Sequence, residues 1–341
     1  MQETNILITG GAGYVGSVLI PELIKDGHNV TCLDRFFFGA DFLSSHEFSK
    51  NLTLIRDDIR WFDSKILKKI DLVLDLAALS NDPVGELDPG KTNEINHLGR
   101  ARVAKLSKEN GVPQYILASS ASIYGEQKDI VTEDSKVNPL TAYSKANRKA
   151  ELSCLPLNDN DFTVTALRFS SIFGLSPRMR FDLAVNNFVL DYFQKGKISV
   201  HGKNNRRPFL HIKDAINAYK LVIQSKNNKI NGQIFNVGDD SQNYLINDLA
   251  IEINNSLPNP VEIETKDTKD HRSFTASFSK ISNTLGFQTS HSVADGAREI
   301  FDALQHKKLI FDEKMITVKW YNKLISEPSL FKKFQLGNKL L

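Results

Sequence analysis

Short apolar runs alternate with longer, mixed segments through the first half of the chain. The runs extend over Asn5 to Thr9, Asn29 to Asp34, Leu52 to Arg56, Leu72 to Leu76, Gln114 to Ala118 and Thr163 to Phe169. Some are almost continuously apolar, as expected for parallel strands that are covered on both faces. The mixed segments between them are typical of helices. The pattern therefore predicts βαβ units and a doubly wound parallel sheet of the α/β class.

The second half of the chain has a different texture. Beyond about residue 170, prolines and polar turns separate shorter elements, namely at Pro177, Pro208, Pro258, Pro260 and 226–229. The 341 residues are about twice the usual size of a domain. We therefore expect a first domain over residues 1–170. Over 171–341 we expect a smaller C-terminal α/β lobe that returns some strands and helices to the first domain.

Spaced glycines follow the first apolar run and precede a helix-forming segment. The sequence there is Gly10-Gly11-Ala12-Gly13-Tyr14-Val15-Gly16. The spacing fits the tight turn, close backbone approach and close helix packing of a Rossmann dinucleotide site, whose helix N-terminus faces the pyrophosphate. Asp34 ends the next run and can accept a hydrogen bond from a ribose 2′-hydroxyl, so the sequence favours NAD over NADP. The neighbouring Arg35 weakens that preference.

Composition excludes several other classes of protein. Charged residues make up 24% of the chain and the net charge of +3 is scattered, which gives no support to nucleic-acid or membrane partners. Cys32 and Cys154 lack metal-ligand spacing and are expected to be buried thiols in a reducing cytoplasm. His201 and His211 lack acidic or cysteine partners, so we predict structural roles for them and no metal site.

An ordered series of further motifs extends over about residues 4 to 300. The segments are 56–60 (RDDIR), 76–80 (LAALS), Asn96, 118–125 (ASSASIYG), 143–145 (YSK), 167–170 (LRFS), 207–214 (RPFLHIKD) and 235–238 (FNVG). In this order they resemble the extended short-chain dehydrogenase/reductase family, in particular its nucleotide-sugar epimerase, dehydratase and reductase branch. The resemblance implies a cofactor, NAD, and a nucleoside diphosphate sugar as substrate.

The resemblance also implies roles for individual residues around the cofactor. Asp58 and Ile59 would hold the adenine, Ala77 and Ala78 would line the pyrophosphate and ribose, and Phe169 would lie near the nicotinamide. The full set of expected cofactor contacts is Gly10, Gly13, Tyr14, Val15, Gly16, Asp34, Asp58, Ile59, Ala77, Ala78, Asn96 and Phe169. Two simpler alternatives stay open, because Asp58 could cap a helix and Phe169 could pack in the core.

The expected catalytic residues are Tyr143, Ser120 and Asn147. In the family a Tyr removes a proton from a sugar hydroxyl, a Ser or Thr orients that hydroxyl, and a Lys four residues after the Tyr favours the phenolate. A free phenol has a pKa near 10, so a charge-free Asn147 is a departure from the pattern. Three explanations stay open: a cation from elsewhere, the charge of the oxidised nicotinamide alone, or loss of turnover.

The segment after Ser120 narrows the reaction within the family. Sugar 4,6-dehydratases and nucleotide-sugar decarboxylases carry acidic residues there, whereas this chain has Ala121 and Ser122. The chain is therefore similar to 4-epimerases, and a 4-dehydrogenase or 4-ketoreductase fits equally. Synthesis of surface glycans is the process implied. A cofactor-binding sensor or scaffold with impaired catalysis is the alternative, because of Asn147.

The second lobe is expected to bind the nucleotide part of the substrate. The resemblance points to Asn187, Arg180, Arg207 and Arg272, with Arg207 the strongest candidate. An arginine suits a diphosphate because its planar fork can bond two oxygens, although each could instead form a surface ion pair. The family also implies a homodimer that pairs through helices over about 93–110 and 141–154.

Overall fold

The computed structural model describes residues 3–44, 50–268, 270–337 and 339–341. Its strands are β1 (Asn5–Thr9), β2 (Asn29–Asp34), β3 (Leu52–Arg56), β4 (Leu72–Asp75), β5 (Gln114–Ser120), β6 (Glu126–Val131), β7 (Thr163–Phe169), β8 (Ser171–Phe173), β9 (Lys197–His201), β10 (Arg206–His211), β11 (Ile234–Val237), β12 (Asn243–Leu245), β13 (Glu262–Lys266) and β14 (Ser273–Ala276).

Helices surround these strands. They are α1 (Gly16–Lys25), α2 (Asp82–Gly85), α3 (Pro89–Asn93), α4 (Arg100–Glu109), α5 (Ala142–Cys154), α6 (Ala184–Lys195), α7 (Ile212–Gln224), α8 (Asn227–Ile230), α9 (Ile246–Ser256), α10 (Ser279–Leu285), α11 (Val293–Gln305), α12 (Thr317–Ser326) and α13 (Pro328–Phe334). A π-helical segment, Glu94–Gly99, joins α3 to α4. Within the described ranges, none of the helices is long and apolar enough to cross a membrane.

Seven parallel strands form the main sheet, in the order β11-β7-β5-β4-β1-β2-β3. The apolar residues of β1 are fully buried, because helices cover both faces of the sheet. The predicted doubly wound α/β fold is thus confirmed. Strand order reverses at β1, and ligands of such folds bind beyond the carboxyl ends of the strands at that point.

The second half of the chain is divided between the two lobes. β11 pairs with β7 at the edge of the main sheet, and α7 packs against α1. The smaller lobe is built on the three-stranded sheet β12-β10-β8 and the parallel pair β13-β9, with α6, α9 and α11 packed together around an apolar core. The smaller lobe therefore stands over the carboxyl edge of the main sheet while its chain is anchored in that sheet.

The C-terminal helices α12 and α13 return to the first half of the chain. The indole N–H of Trp320 donates to the carbonyl of Phe37 at 2.8 Å, and Arg35 donates to the carbonyls of Phe334 and Lys339. Ring contacts of Tyr321 with Phe37 add apolar area. The end of the chain therefore packs against the loop that follows β2.

A buried ion pair fastens helix α5 to the strands beside it. The fully buried Glu151 accepts two bonds of 2.9 Å from Arg168 of β7 and one of 2.6 Å from the hydroxyl of Ser119 of β5. Burial alone would raise the pKa of Glu151, but its bonds with Arg168, Ser119 and Arg148 hold it below its ordinary value. The pair fixes α5 relative to the carboxyl ends of β5 and β7.

Glu151→Gln should lower the free energy of unfolding at neutral pH by about 3–5 kcal/mol, because it leaves the buried Arg168 unpaired. The folded-state pKa of Glu151 is depressed, so its contribution is complete above about pH 4.3 and is lost as the pH falls through the folded value. The difference between wild type and variant, measured by urea unfolding, should therefore shrink in acid. Glu22→Gln, which breaks the exposed pair with Lys25, is the control. An equal loss of unfolding free energy in that variant would contradict a special role for the buried pair.

Candidate functional site

A cavity of about 590 Å³ lies between the carboxyl edge of the main sheet and the smaller lobe. It gathers most of the site residues expected from the sequence, namely Gly10, Gly13, Tyr14, Val15, Gly16, Asp34, Asp58, Ile59, Ala77, Ala78, Ser120, Tyr143, Asn147, Phe169, Arg180, Asn187, Arg207 and Arg272. These residues are far apart in the chain. Those of the main sheet meet because parallel strands bring their carboxyl ends to one edge, and the smaller lobe adds Arg180, Asn187, Arg207 and Arg272.

The glycine turn after β1 forms one wall of the cavity. Gly10 has a φ of +68°, and a Cβ there would lie 2.7 Å from the backbone of Ala77. A Cβ at Gly16 would lie 2.4 Å from the carbonyl oxygen of Gly11. The turn therefore needs glycine both for its backbone conformation and for its contacts with β4 and α1. The resulting bare backbone can approach a ligand closely.

The two carboxylates at the end of β2 and after β3 already have partners. Asp34 accepts the backbone N–H of Ala12 at 3.0 Å and that of Phe36 at 2.7 Å, and burial raises its pKa. Asp58 pairs with Arg35 at 2.8 Å and with Arg60 at 2.8 Å. Arg35 is thereby held inside the protein. Its remaining Nε atom is buried without a hydrogen-bond partner among the described residues.

Asn96 lies outside the cavity lining. Its amide accepts the N–H of Leu79 at 2.8 Å and donates to the carbonyl of Leu79 at 3.0 Å. These two hydrogen bonds fix the loop that follows β4, which contains Ala77 and Ala78. The residue thus supports the loop rather than facing the cavity, a distinction that spacing along the chain cannot make.

The expected catalytic residues come from two neighbouring elements. Ser120 ends β5 and accepts the backbone N–H of Ser122 at 3.1 Å. Tyr143 and Asn147 lie on the first two turns of α5, which begins with a capping box between Thr141 and Ser144. Asn147 is buried, and its side-chain oxygen accepts a hydrogen bond of 2.9 Å from Arg100.

Two of the expected arginines are paired with carboxylates and also contact the first half of the chain. Arg180 forms a two-pronged pair with Asp182, at 3.0 and 2.9 Å, and also donates to the hydroxyl of Ser80. Arg272 contacts Asp270 of its own lobe and Asp82 of α2. Both guanidinium groups therefore hold the lobes together, although they line the cavity as well.

Two further arginines face the cavity with weak compensation. Arg178 is 6% exposed, stacks 3.6 Å above the ring of Phe38 and donates to Thr317 at 3.1 Å. Burial lowers its pKa to about 9, the charge of Arg180 adds to this, and Asp182 opposes it. Burial also lowers the pKa of Arg207 to about 10, and Asp270, whose carboxylate is 3.5 Å away, opposes this only in part. Such groups are suited to an anion that supplies the missing charge.

Sequence patterns gave no signal for several residues of the site. Arg100 follows a π-helical segment and contacts Asn147 through a fold that spacing does not show. Tyr321, Leu340 and Leu341 come from the C-terminal segment to the same cavity. Only the tertiary structure brings these residues into view.

Histidines do not build a metal centre in the part of the chain that the structure describes. No group of three or more metal-ligating side chains occurs there. His211 instead stacks on His291 with ring centroids 4.5 Å apart and bonds Glu299, whereas His201 lines the cavity.

Comparisons with known proteins agree with this geometry. Residues 6–238 match the profile of the "NAD dependent epimerase/dehydratase family". UDP-glucuronic acid decarboxylase 1 of Danio rerio is 28% identical over 250 residues, which cover 71% of this chain. The match spans only 58% of that relative's length.

Two solved structures resemble the whole fold. UDP-glucuronic acid 4-epimerase from Bacillus cereus, in complex with UDP-glucuronic acid and NAD, superposes with a TM-score of 0.77, 25% identity and coverage of 89% of this chain and 99% of that one. UDP-N-acetylglucosamine 4-epimerase from Methanobrevibacter ruminantium M1, in complex with UDP-N-acetylmuramic acid, superposes with a TM-score of 0.81 and 25% identity. The match covers 90% of this chain and 100% of that one.

Proposed function

Because this chain belongs to the NAD dependent epimerase/dehydratase family, we propose that it binds NAD and oxidises or epimerises a nucleoside diphosphate sugar at C4. The observation that carries the proposal is a single cavity that joins the glycine turn, Ser120 and Tyr143 to two undercompensated arginines. Two diphosphates, one of the cofactor and one of the substrate, match two such cationic positions.

The residues at the glycine turn fit a dinucleotide. A cavity of about 590 Å³ is within the range of ligand sites, and Gly10 and Gly16 leave no room for a side chain beside it. Asp34 lines the cavity beside the glycine turn, and we place the adenosine ribose next to it. Since Arg35 is already engaged with Asp58, it is not free for a 2′-phosphate, which supports NAD rather than NADP.

The chain's own residues divide the chemistry at the other end of the cavity. As the phenolate, Tyr143 takes the proton of the sugar hydroxyl and, as the resulting phenol, later returns it, while the Ser120 hydroxyl holds that oxygen in place. When bound, the nicotinamide of NAD accepts a hydride from the same carbon. The small lobe holds the nucleotide diphosphate through Arg207 and Asn187, so that the sugar alone extends toward Tyr143.

Ala121 and Ser122 favour epimerisation or simple oxidation and reduction over decarboxylation or dehydration. Both line the cavity, and neither has an acidic group that could move a proton at a second carbon. The hydroxyl of Ser122 is buried and lacks a hydrogen-bond partner within the described residues. We infer that the reaction needs no acid beyond Tyr143.

A sensor or scaffold that binds NAD is the second candidate, and Asn147 is the observation that favours it. The helix position four residues after Tyr143 contains an uncharged amide. Such a protein would keep the cofactor site without efficient turnover.

The wider setting follows from the same proposal. Nucleoside diphosphate sugars are donors for glycan synthesis, so a role in making surface glycans is our proposal for the process. Cys32 and Cys154 are buried free thiols, which suits a reducing compartment such as the cytoplasm.

Incubation of the purified protein with NAD and a panel of UDP-, GDP-, dTDP- and CDP-sugars tests the function. We expect one sugar to yield a C4 epimer or a 4-keto product. Nuclear magnetic resonance would identify the product, and the absorbance of reduced nicotinamide would report the oxidation. Tyr143→Phe should lower that rate by about 100-fold or more while NAD binding persists. Tight binding of NAD without any product from the panel would favour the sensor instead.

Arg178→Met should separate stability from cofactor binding. It removes a buried charge that lacks a carboxylate partner, so the thermal midpoint of the ligand-free protein should not fall. The affinity for NAD, measured by calorimetry, should fall by about 10- to 100-fold. Arg180→Met is the matched control: it breaks the pair with Asp182 and should destabilise the protein. If both variants are equally destabilised and the affinity for NAD is unchanged, Arg178 has no role in NAD binding.

Exposed leucines on neighbouring helices support a homodimer. Leu98, in the segment Glu94–Gly99, is 53% exposed, and Leu152 of α5 is 58% exposed. The two helices contact each other through His97 and Ser153 at 3.0 Å. Together they offer a continuous helical face with apolar side chains.

Leu98→Asp combined with Leu152→Asp should therefore convert a dimer into a monomer, because charges would be buried in the interface. Sedimentation velocity of wild type and variant checks this. Ile310→Asp, an exposed apolar residue elsewhere, is the control and should leave the mass unchanged. A monomeric wild-type protein would overturn the proposal of a homodimer.

A further inference from the structure

A proton acceptor at Tyr143 requires a source of positive charge, and this inference rests on the function proposed above. Four residues bring a helix back to nearly the same face, so the residue best placed to help Tyr143 is Asn147. An amide is neutral and cannot by itself favour a phenolate as a cation does. The charge must therefore reach this face of α5 from another element.

Arg100 of α4 reaches that position. Its guanidinium is 1% exposed and donates to the side-chain oxygen of Asn147 at 2.9 Å. Its other bonds go to the carbonyl of Asp75 at 3.0 Å, to that of Ala118 at 2.5 Å, and to the Asp75 carboxylate at 3.4 Å. The guanidinium thus lies under the carboxyl ends of β4 and β5, one hydrogen bond away from the side chain of Asn147.

The bond from Arg100 also fixes the orientation of Asn147. The amide nitrogen of Asn147 donates to the backbone carbonyl of Tyr143 at 3.0 Å, while its oxygen faces the guanidinium. A flipped amide would set donor against donor and acceptor against acceptor, so a single orientation is stable. Arg100 and Asn147 therefore behave as one unit attached to the turn that bears Tyr143.

The other cations of α5 are less well placed. Lys145 is exposed and, two residues after Tyr143, lies on a different side of the helix. Lys149 donates to Asn93 at 3.1 Å and Arg148 pairs with Glu151 at 2.9 Å. The charge of Arg180 also acts on Tyr143, but two short bonds to Asp182 neutralise it. Arg100 meets its carboxylate, Asp75, in one contact of 3.4 Å.

Few other ionisable groups face Tyr143. From α7 the phenol of Tyr219 interacts with it, and Asp82 and Glu86 bond the start of α5 at Thr141 and Ala142. These groups add no positive charge. Asp75 itself also accepts bonds from the hydroxyls of Thr9 and Tyr115, which share its negative charge.

We propose that Arg100 is a positioning residue that supplies, through Asn147, the positive charge required beside Tyr143. The pair performs jointly the task that one lysine on α5 could perform alone. Asn147 is then a connector between a buried guanidinium and the catalytic turn, and its presence is compatible with normal turnover.

Exchange of charge between the two positions tests the proposal, with the active sugar of the panel as substrate. Arg100→Met should lower kcat by about tenfold or more near pH 7 and move the rising limb of the pH profile upward by about one unit. Asn147→Lys alone should lower activity, because it buries a second cation beside Arg100. In the Arg100→Met background the same Asn147→Lys change should raise activity and return the pH profile toward that of wild type.

Two variants cover the case in which loss of Arg100 prevents folding. Arg100→Lys keeps the charge and should retain a profile close to that of wild type. Asn147→Asp keeps an oxygen against Arg100 but neutralises its charge, so the rising limb should move to higher pH although the protein stays folded. If the profiles of Arg100→Met and Asn147→Asp both coincide with that of wild type, Arg100 has only a structural role and the proposal is overturned.

A measurement without substrate separates this inference from the proposed function. The ultraviolet absorbance of phenolate is followed against pH in the NAD-loaded protein, and the difference from Tyr143→Phe isolates the ionisation of Tyr143. That transition should lie at higher pH in Asn147→Asp than in wild type, even if no sugar in the panel reacts. An identical transition in both proteins overturns the role of Arg100, whereas absence of products alone overturns only the proposed function.

Discussion

Buried ion pairs hold helix α5 against the carboxyl ends of the central strands, and the geometry of the whole site depends on them. Glu151 is bonded to Arg168 of β7 and to Ser119 of β5. A buried charge that loses its partner is costly, so α5 cannot shift without breaking several bonds at once. The turn with Tyr143 is therefore fixed relative to Ser120, as the proposed reaction requires.

The arginines around the cavity fall into two groups, those that are paired with carboxylates and those that are not. Arg180 and Arg272 form close pairs with carboxylates and join the two lobes across the loop that follows β4. Arg178 and Arg207 are buried with weak compensation, which lowers the pKa of each. In the ligand-free protein such groups are unfavourable, and an anionic ligand would relieve them. Under the proposed function, part of the stability is given up for anion sites that are formed in advance.

The C-terminal segment also contributes residues to this cavity. Trp320 bonds the loop after β2, and Leu340 and Leu341 line the cavity beside it. Arg35 is thereby held by Asp58 and by two carbonyls of the C-terminal segment. A residue that stands next to Asp34 in the sequence consequently acts as a structural anchor.

The sequence by itself determined the sheet and the glycine turn, and most of the site residues that it predicted line the cavity. Alternating apolar runs define parallel strands, and parallel strands bring their carboxyl ends, with Ala77, Ser120 and Phe169, to one edge. Tertiary structure alone decided the partners of these residues. Asn96 bonds the loop at Leu79 instead of facing the cavity, and Arg100 meets Asn147 from a different helix. Spacing along one element cannot show such contacts, because the direction of a buried polar side chain is set by whichever partners the packed neighbours supply.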